Sequence, residues 1–137
     1  MNTGVRDITD RLTRAGIKPS AQRIAIMRYM LTHRTHPTVD EIYRALIDEY
    51  PTMSRTTVYN TLRVLVEKGC VLGLDIDSNN TRYDGFTEPH AHFLCKCCGN
   101  VIDVPLESAL PLPAGMHTHE AQVYFKGVCD NCIKTNN

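Results

Sequence analysis

Apolar residues recur at helical spacing through the first half of the chain and in short strand-like runs through the second. Val5, Ile8, Leu12 and Ala15 mark one face of a first helix, which Gly16 ends. Ser20 is placed to cap a second helix, with Ile24, Met27 and Leu31 as its buried stripe. Thr38 and Glu41 have the spacing of a capping box, in which each side chain satisfies an amide of the first turn. The third helix behind that box carries Val39, Ile42, Tyr43, Leu46 and Tyr50 on its apolar face and stops at Pro51. Ser54 caps a fourth, with Val58, Leu62, Leu65 and Val66 inward and Gly69 just past its end.

The other face of the fourth helix shows Arg55, Thr56, Tyr59, Asn60 and Arg63. That mixture suits phosphates and base edges, and a short helix backed by a core is how helix-turn-helix proteins enter the major groove. An ordinary solvated face has a similar composition, so the following segment matters. Two β-prone runs, residues 70–76 and 81–86, flank the turn Ser78-Asn79-Asn80. A helix-turn-helix followed by a hairpin predicts a winged helix, with Arg82 available to the DNA backbone near the wing. Asp84-Gly85-Phe86-Thr87-Glu88-Pro89 then reads as a hinge. The expected fold class is α+β, with a winged-helix domain over residues 1–84 and a small α/β domain over 85–137. In the second domain, residues 93–95, 101–104 and 122–125 read as strands, and Pro111 and Pro113 argue against a regular helix over 108–115. Asn136-Asn137 is expected to fray.

Charge sharpens this division. The 137 residues have 15 Lys/Arg and 15 Asp/Glu, which excludes a nonspecific polycation. Yet residues 1–63 carry 10 basic against 6 acidic side chains, and residues 64–137 carry 5 against 9. A basic front and an acidic back fit a DNA-binding module joined to a cation-binding one. No cleavable signal, long apolar span or lipidation motif appears, so the expected location is cytoplasmic, with no membrane partner.

The candidate chemistry lies in the back half. Cys95 and Cys98, followed by Gly99, form one Cys-x-x-Cys knuckle, and Cys129 and Cys132 form another, with 30 residues between the two. Four thiolates in this arrangement suit tetrahedral Zn²⁺, and with no ligand position left open the site is expected to be structural. Redox pairs or disulfides are the alternatives, and a disulfide scaffold needs an oxidising compartment. Immediately ahead, His90-Ala91-His92 puts two imidazoles on one face of a strand, where both can meet one metal. Asp84, Asp103 and the distant His36 are candidate partners. Imidazole with carboxylate suits Fe²⁺, Mn²⁺ or Zn²⁺. Such a centre could also activate water, but no nucleophile or general-base motif accompanies it, so an enzyme is not expected. Cys97 is expected to be a bystander, Cys70 a buried small residue, and His117 and His119 exposed loop residues.

These residues together resemble the ferric uptake regulator (Fur) superfamily, and most closely its peroxide-sensing PerR branch. The likeness runs through Gly16-Ile17-Lys18, Gln22-Arg23, His36-Pro37-Thr38-Val39-Asp40-Glu41-Ile42-Tyr43 and Thr57-Val58-Tyr59-Asn60. It continues through Arg82-Tyr83-Asp84, His90-Ala91-His92-Phe93, the first knuckle, Asp103 and Gly127-Val128-Cys129 to Cys132. The resemblance implies a homodimeric, metal-dependent repressor that binds a palindromic operator. It puts His36, Asp84, His90, His92 and Asp103 on the regulatory ligands, holding Fe²⁺ or Mn²⁺, and Tyr59 on a base contact. It implies that peroxide, reacting where Fe²⁺ is bound, oxidises His36 or His90 and ends repression. Asp103, where iron sensors tend to have glutamate, favours peroxide sensing; a regulator of iron or other metal uptake is the alternative. The segment between Asp103 and Gln122 is shorter and richer in proline than the family pattern.

Overall fold

Ser20, Thr38 and Ser54 each cap the helix their spacing predicts. In the computed structural model, which describes residues 3–135, the Ser20 hydroxyl accepts from the Arg23 amide and the Ser54 hydroxyl from the Thr57 amide. Thr38 and Glu41 complete their capping box. The expected fraying at Asn136-Asn137 falls outside the described residues. Four helices result: α1 (Val5–Arg14), α2 (Ala21–Thr32), α3 (Val39–Leu46) and α4 (Arg55–Glu67). A two-stranded antiparallel wing follows, β1 (Leu72–Leu74) against β2 (Arg82–Asp84), pairing Gly73 with Tyr83. Gly16 and Gly69, both at positive φ, end α1 and α4 with the left-handed turn that favours glycine.

The apolar pattern needs three corrections. Val5 is 55% exposed and Val66 37% exposed, so neither belongs to the core face expected of it. The third helix ends at Leu46, four residues before Tyr50, although the Tyr50 amide still bonds to the Leu46 carbonyl at 2.9 Å. On α2 the buried set is Ala25, Ile26, Met27, Met30 and Leu31, wider than a stripe. The reason is its central place: α2 packs against α1, α3 and α4, so more than one face meets the core. Ile8, Leu12, Ile42, Val58, Leu62 and Leu65 belong to the same core, with Ile17, Met53, Val71 and Tyr83.

The chain divides into two compact units, one running to Thr87 and one starting at Glu88. The hinge expected from residue 84 is fixed for its first three positions. Asp84 is buried, Phe86 lies under the Arg34 guanidinium at 4.5 Å, and Gly85 presses on α2. A Cβ at Gly85 would stand 2.5 Å from the Met30 carbonyl oxygen.

The second unit is a three-stranded sheet of order β4-β3-β5, made of β3 (Ala91–Cys95), β4 (Val101–Val104) and β5 (Tyr124–Gly127), with α5 (Asp130–Thr135) after it. β4 runs antiparallel to β3 and β5 parallel to it. β5 begins two residues later than the apolar run suggests. It runs on to Gly127, paired with Cys95, because there the missing side chain leaves room for the Phe93 ring, 3.3 Å from where a Cβ would stand. No regular helix forms over 108–115. α5 was not expected, because a six-residue helix without an apolar period leaves no pattern to read.

Gly85→Ala is expected to destabilise the first unit by about 1–3 kcal/mol, since the obstacle is backbone of a packed helix. Thermal unfolding followed by circular dichroism checks this, and an unchanged melting temperature would contradict it.

Candidate metal centres and nucleic-acid interface

The strand register delivers the cysteines. β3 ends on Cys95, and β5 leads through Gly127 into Cys129, so the two knuckles meet at one end of the sheet. Gly99, at φ +78°, closes the first knuckle and its amide bonds to the Cys95 carbonyl at 2.9 Å. The four sulfurs lie within 4.8 Å of one another. Cys95 to Cys132 is 3.7 Å and Cys98 to Cys129 is 3.9 Å, far beyond a disulfide bond. Metal–sulfur bonds of about 2.3 Å in a tetrahedron put sulfurs about 3.8 Å apart. The cluster therefore fits a metal ion and fits no cystine.

Its electrostatics point the same way. The amides of Cys98 and Cys129 each donate to the Cys95 sulfur at 3.4 Å. They hold the Cys95 thiol down to about 6, favouring thiolate. Contact with the Cys129 side chain, and then burial, push the Cys132 thiol upward. Four adjacent sulfurs cannot all ionise unaided, and a divalent cation removes the conflict.

The imidazole and carboxylate candidates fall on both units. In the first, His36 and Asp84 are 3% and 2% exposed, with His36 Nε2 at 3.4 Å from Asp84 Oδ2. Asp84 Oδ1 accepts from the Phe86 amide. His36 sits at φ +54°, the only non-glycine at positive φ among the described residues, and it precedes a proline. Both facts disfavour that conformation. It is secured by Arg82, whose Nη1 donates to the His36 carbonyl at 3.1 Å, and by the Tyr83 amide, which donates to the Pro37 carbonyl. Arg82 also binds Asp77 at 3.1 Å, so it is committed to this loop and not offered to DNA as expected.

In the second unit, His92 lies opposite Asp103 across β3 and β4. His90 Nε2 and His92 Nε2 stand 3.0 and 3.4 Å from the same oxygen, Asp103 Oδ1. His90 Nδ1 is 2.7 Å from the Glu88 carbonyl, which can only accept, so Nδ1 carries the proton. In the neutral ring Nε2 then turns a lone pair toward a carboxylate oxygen. Either a second proton or a cation must stand between them. A ligating histidine commonly donates its other N–H to a carbonyl in this way. Ligand atoms around one ion at about 2.1 Å lie about 3.0–3.4 Å apart, which the spacings in both units match. His117 and His119 are exposed, their rings 4.8 Å apart, and join neither donor group. Cys70 packs on the first unit's core, where burial raises its thiol.

On α4, Val58, Leu62 and Leu65 are fully buried, while Arg55, Thr56, Tyr59, Asn60 and Arg63 are exposed, Tyr59 by 52%. Asn60 and Arg63 line a polar recess with Ser20, Gln22 and Arg23 from the start of α2, a contribution the sequence reading missed. Arg55 is held by α3: its Nε is 2.8 Å from Asp40 Oδ1 and its guanidinium lies 4.3 Å over the Tyr43 ring. That hydrogen bond, with Arg44 adding to it, keeps the Asp40 carboxyl below the usual range.

A winged helix followed by a cysteine-knuckled sheet, with histidine and aspartate donors in both units, defines a metal-binding winged-helix protein. The chain belongs to the ferric uptake regulator family, whose model matches residues 14–124. It is 33% identical over 139 residues to the peroxide operon regulator of Bacillus subtilis (strain 168), covering 97% of this chain and 96% of that protein. It is 38% identical over 129 residues to the peroxide-responsive repressor PerR of Staphylococcus aureus (strain Mu50), covering 88% of this chain and 86% of that one. Among solved structures it resembles PerR from Streptococcus pyogenes, described for peroxide sensing and gene regulation, at 30% identity and TM-score 0.54 over 93% of this chain and 92% of that one.

Removing metal from the reduced protein with a strong chelator is expected to unfold the second unit and spare the first. Limited proteolysis with peptide mapping should then show new cuts confined beyond Thr87. An unchanged cleavage pattern after verified metal loss would mean the sheet stands without it.

Proposed function

We propose that this protein is a metal-dependent, DNA-binding transcriptional repressor that senses peroxide, acting as a cytoplasmic homodimer on a palindromic operator. The observation that carries the metal part is His90, with Nδ1 held by the Glu88 carbonyl and Nε2 aimed at Asp103. The likeness to peroxide-responsive repressors supports the rest. In this reading Cys95, Cys98, Cys129 and Cys132 hold Zn²⁺. His36, Asp84, His90, His92 and Asp103 are ligands to one Fe²⁺ or Mn²⁺ ion. No thiolate belongs to that set, which disfavours softer ions.

Because the ligands come from both units, binding would favour the arrangement that gathers them, and the operator would be bound in that state. Fe²⁺, if held by these ligands, would promote cleavage of a peroxide O–O bond beside the rings, one oxygen passing to an imidazole carbon and the other leaving as water. His36 and His90 are the expected oxidation sites, and an oxidised imidazole is a poorer donor, which releases the arrangement and the DNA. Arg63 and Asn60 would meet phosphates and Tyr59 a base. For the dimer, directly paired Phe93, Ile102 and Phe125 form a row across the sheet, with Ile102 42% and Phe125 49% exposed. Such an apolar row suits burial against a second copy.

Two outcomes test this. Arg63→Ala should weaken operator binding and lower the salt slope of log affinity by about 1, whereas Tyr59→Ala should cost about 1–3 kcal/mol, mostly of specificity. Fluorescence anisotropy over a salt series on operator and scrambled duplexes separates the two; unchanged affinity in both variants would remove α4 from the interface. A brief peroxide pulse on Fe²⁺-loaded protein should add one oxygen to the His36 or His90 peptide, and a Mn²⁺-loaded control should stay unmodified. Unmodified histidines with iron bound would leave regulation by metal supply as the better reading.

A further inference from the structure

Arg55 is held more firmly than an exposed arginine needs to be. It is the first residue of α4, and its side chain is 55% exposed. Its Nε donates to Asp40 Oδ1 at 2.8 Å, and its guanidinium carbon lies 4.3 Å from the centre of the Tyr43 ring. Arg44, one turn further along α3, brings its own Nε to 2.8 Å from Asp40 Oδ2, so both carboxylate oxygens are engaged. A long, flexible side chain is thereby fixed in position and in plane. The hydrogen bond engages Nε and leaves both Nη groups for a ligand. As a strut between α3 and α4 this arrangement would be redundant. Ile42 of α3 and Val58 of α4 are fully buried in one core, and an exposed ion pair is screened by solvent. As a phosphate contact it would be poorly made, because the Asp40 carboxylate beside the guanidinium offsets its charge and repels an anion. A fixed, flat fork of donors suits a flat pair of neutral acceptors. O6 and N7 of guanine present that pair in the major groove, whereas adenine sets a donor beside N7. Helix-turn-helix proteins reach base edges with the N-terminal residues of the recognition helix. Arg55 stands at that end of α4, one turn before Tyr59 on the same exposed face.

We infer that Arg55 reads a guanine in each half of the operator through its two Nη groups, and that Asp40, with the Tyr43 ring beneath, positions it. This rests on reading α4 as the helix that enters DNA. Asp40 is then a positioning residue: it fixes the fork and makes no contact with the base. α3 takes part in sequence recognition through that one carboxylate, and a change there alters base preference without removing a DNA contact.

The experiment uses the full chain, loaded with Zn²⁺ and Mn²⁺, to select from a pool of random-sequence duplexes. Sequencing the bound DNA gives the base preference at every position, for the unsubstituted protein and for each variant. The unsubstituted protein is expected to enrich duplexes with a guanine at one position of each half-site. Arg55→Ala should erase that preference, keep the others, and lower affinity for the best duplex about tenfold to a hundredfold. Arg55→Lys keeps the charge and the stem but not the planar fork, and should recover little of the preference. Replacing that guanine by 7-deazaguanine, which lacks the N7 acceptor, should weaken binding by the unsubstituted protein and leave Arg55→Ala unaffected. Asp40→Asn should blunt the guanine preference while the melting temperature, followed by circular dichroism, stays unchanged. An Arg55→Ala variant that keeps every base preference, or that loses affinity equally on all duplexes, would make Arg55 a strut or a phosphate contact and overturn the proposal. An intact guanine preference in Asp40→Asn would overturn the role given to Asp40. Failure of the metal-loaded, unsubstituted protein to enrich any duplex would instead overturn the DNA-binding reading of α4.

Discussion

The second unit is organised around four sulfurs. Cys95, Cys129 and Cys132 form a buried cluster with Phe93 packed against it, Ala91 and Val101 are the other buried apolar residues described there, and the stretch between Pro105 and Ala121 is almost wholly exposed. A unit of this size has little apolar area with which to offset the entropy of ordering its chain, and metal commonly supplies the difference. The knuckles do more than stabilise. Cys95 at the end of β3 and Cys129 beyond the end of β5 join the parallel pair that sets His92 beside Tyr124, and the first knuckle is the turn from β3 into β4, whose antiparallel register sets His92 opposite Asp103. A slip of one residue would turn His92 to the opposite face of the sheet. The structural site therefore fixes the geometry of the second donor group.

The first unit solves the same problem differently. It has a real apolar core, and it can hold one residue in an unfavourable state. His36 at positive φ before Pro37 costs about 1–3 kcal/mol. The hydrogen bonds from Arg82 and Tyr83 tie that loop to the wing strand that also carries Asp84. Without the strain, the His36 ring would leave the carboxylate it now faces at 3.4 Å. Arg82 is thus a support of the donor pair, which explains why it is half-buried and turned inward.

Helix starts and the cysteine cluster were legible in the sequence because each depends on residues a few positions apart. Ser20, Thr38 and Ser54 each act on the amide three residues on, and a Cys-x-x-Cys turn is equally local. What could not be read depended on distant partners. Val66 looked inward by spacing but lies on the far side of the α4 contact. α2 hid its central position because apolar residues on several faces give no stripe. The shift of β5 follows from the fit of Gly127 to Phe93, and α5 from the knuckle geometry at Cys129; neither is encoded in its own segment's periodicity. Strand alternation pointed to His90 and His92, and the resemblance singled out His36, Asp84 and Asp103 among their candidate partners. Their pairing, His36 with Asp84 and both His90 and His92 with one Asp103 oxygen, came only from the fold.

The magnitudes also say how control can act. A path of contacts joins the His36–Asp84 pair to α4: His36 lies two residues before the Thr38 cap of α3, and Asp40 in that helix holds Arg55, the first residue of α4. Yet an exposed ion pair of this kind is screened by solvent and contributes little. Val58, Leu62 and Leu65, fully buried, each contribute about 1.5–3 kcal/mol to holding α4 on the core. Changes at His36 and Asp84 are too weakly connected to α4 to remodel it against that packing. Under the proposed function, the ligands must therefore act by placing the whole winged helix, with α4 carried as a rigid part of it. Regulation then needs donors on both units, and that is how the two His/Asp groups are distributed along this chain.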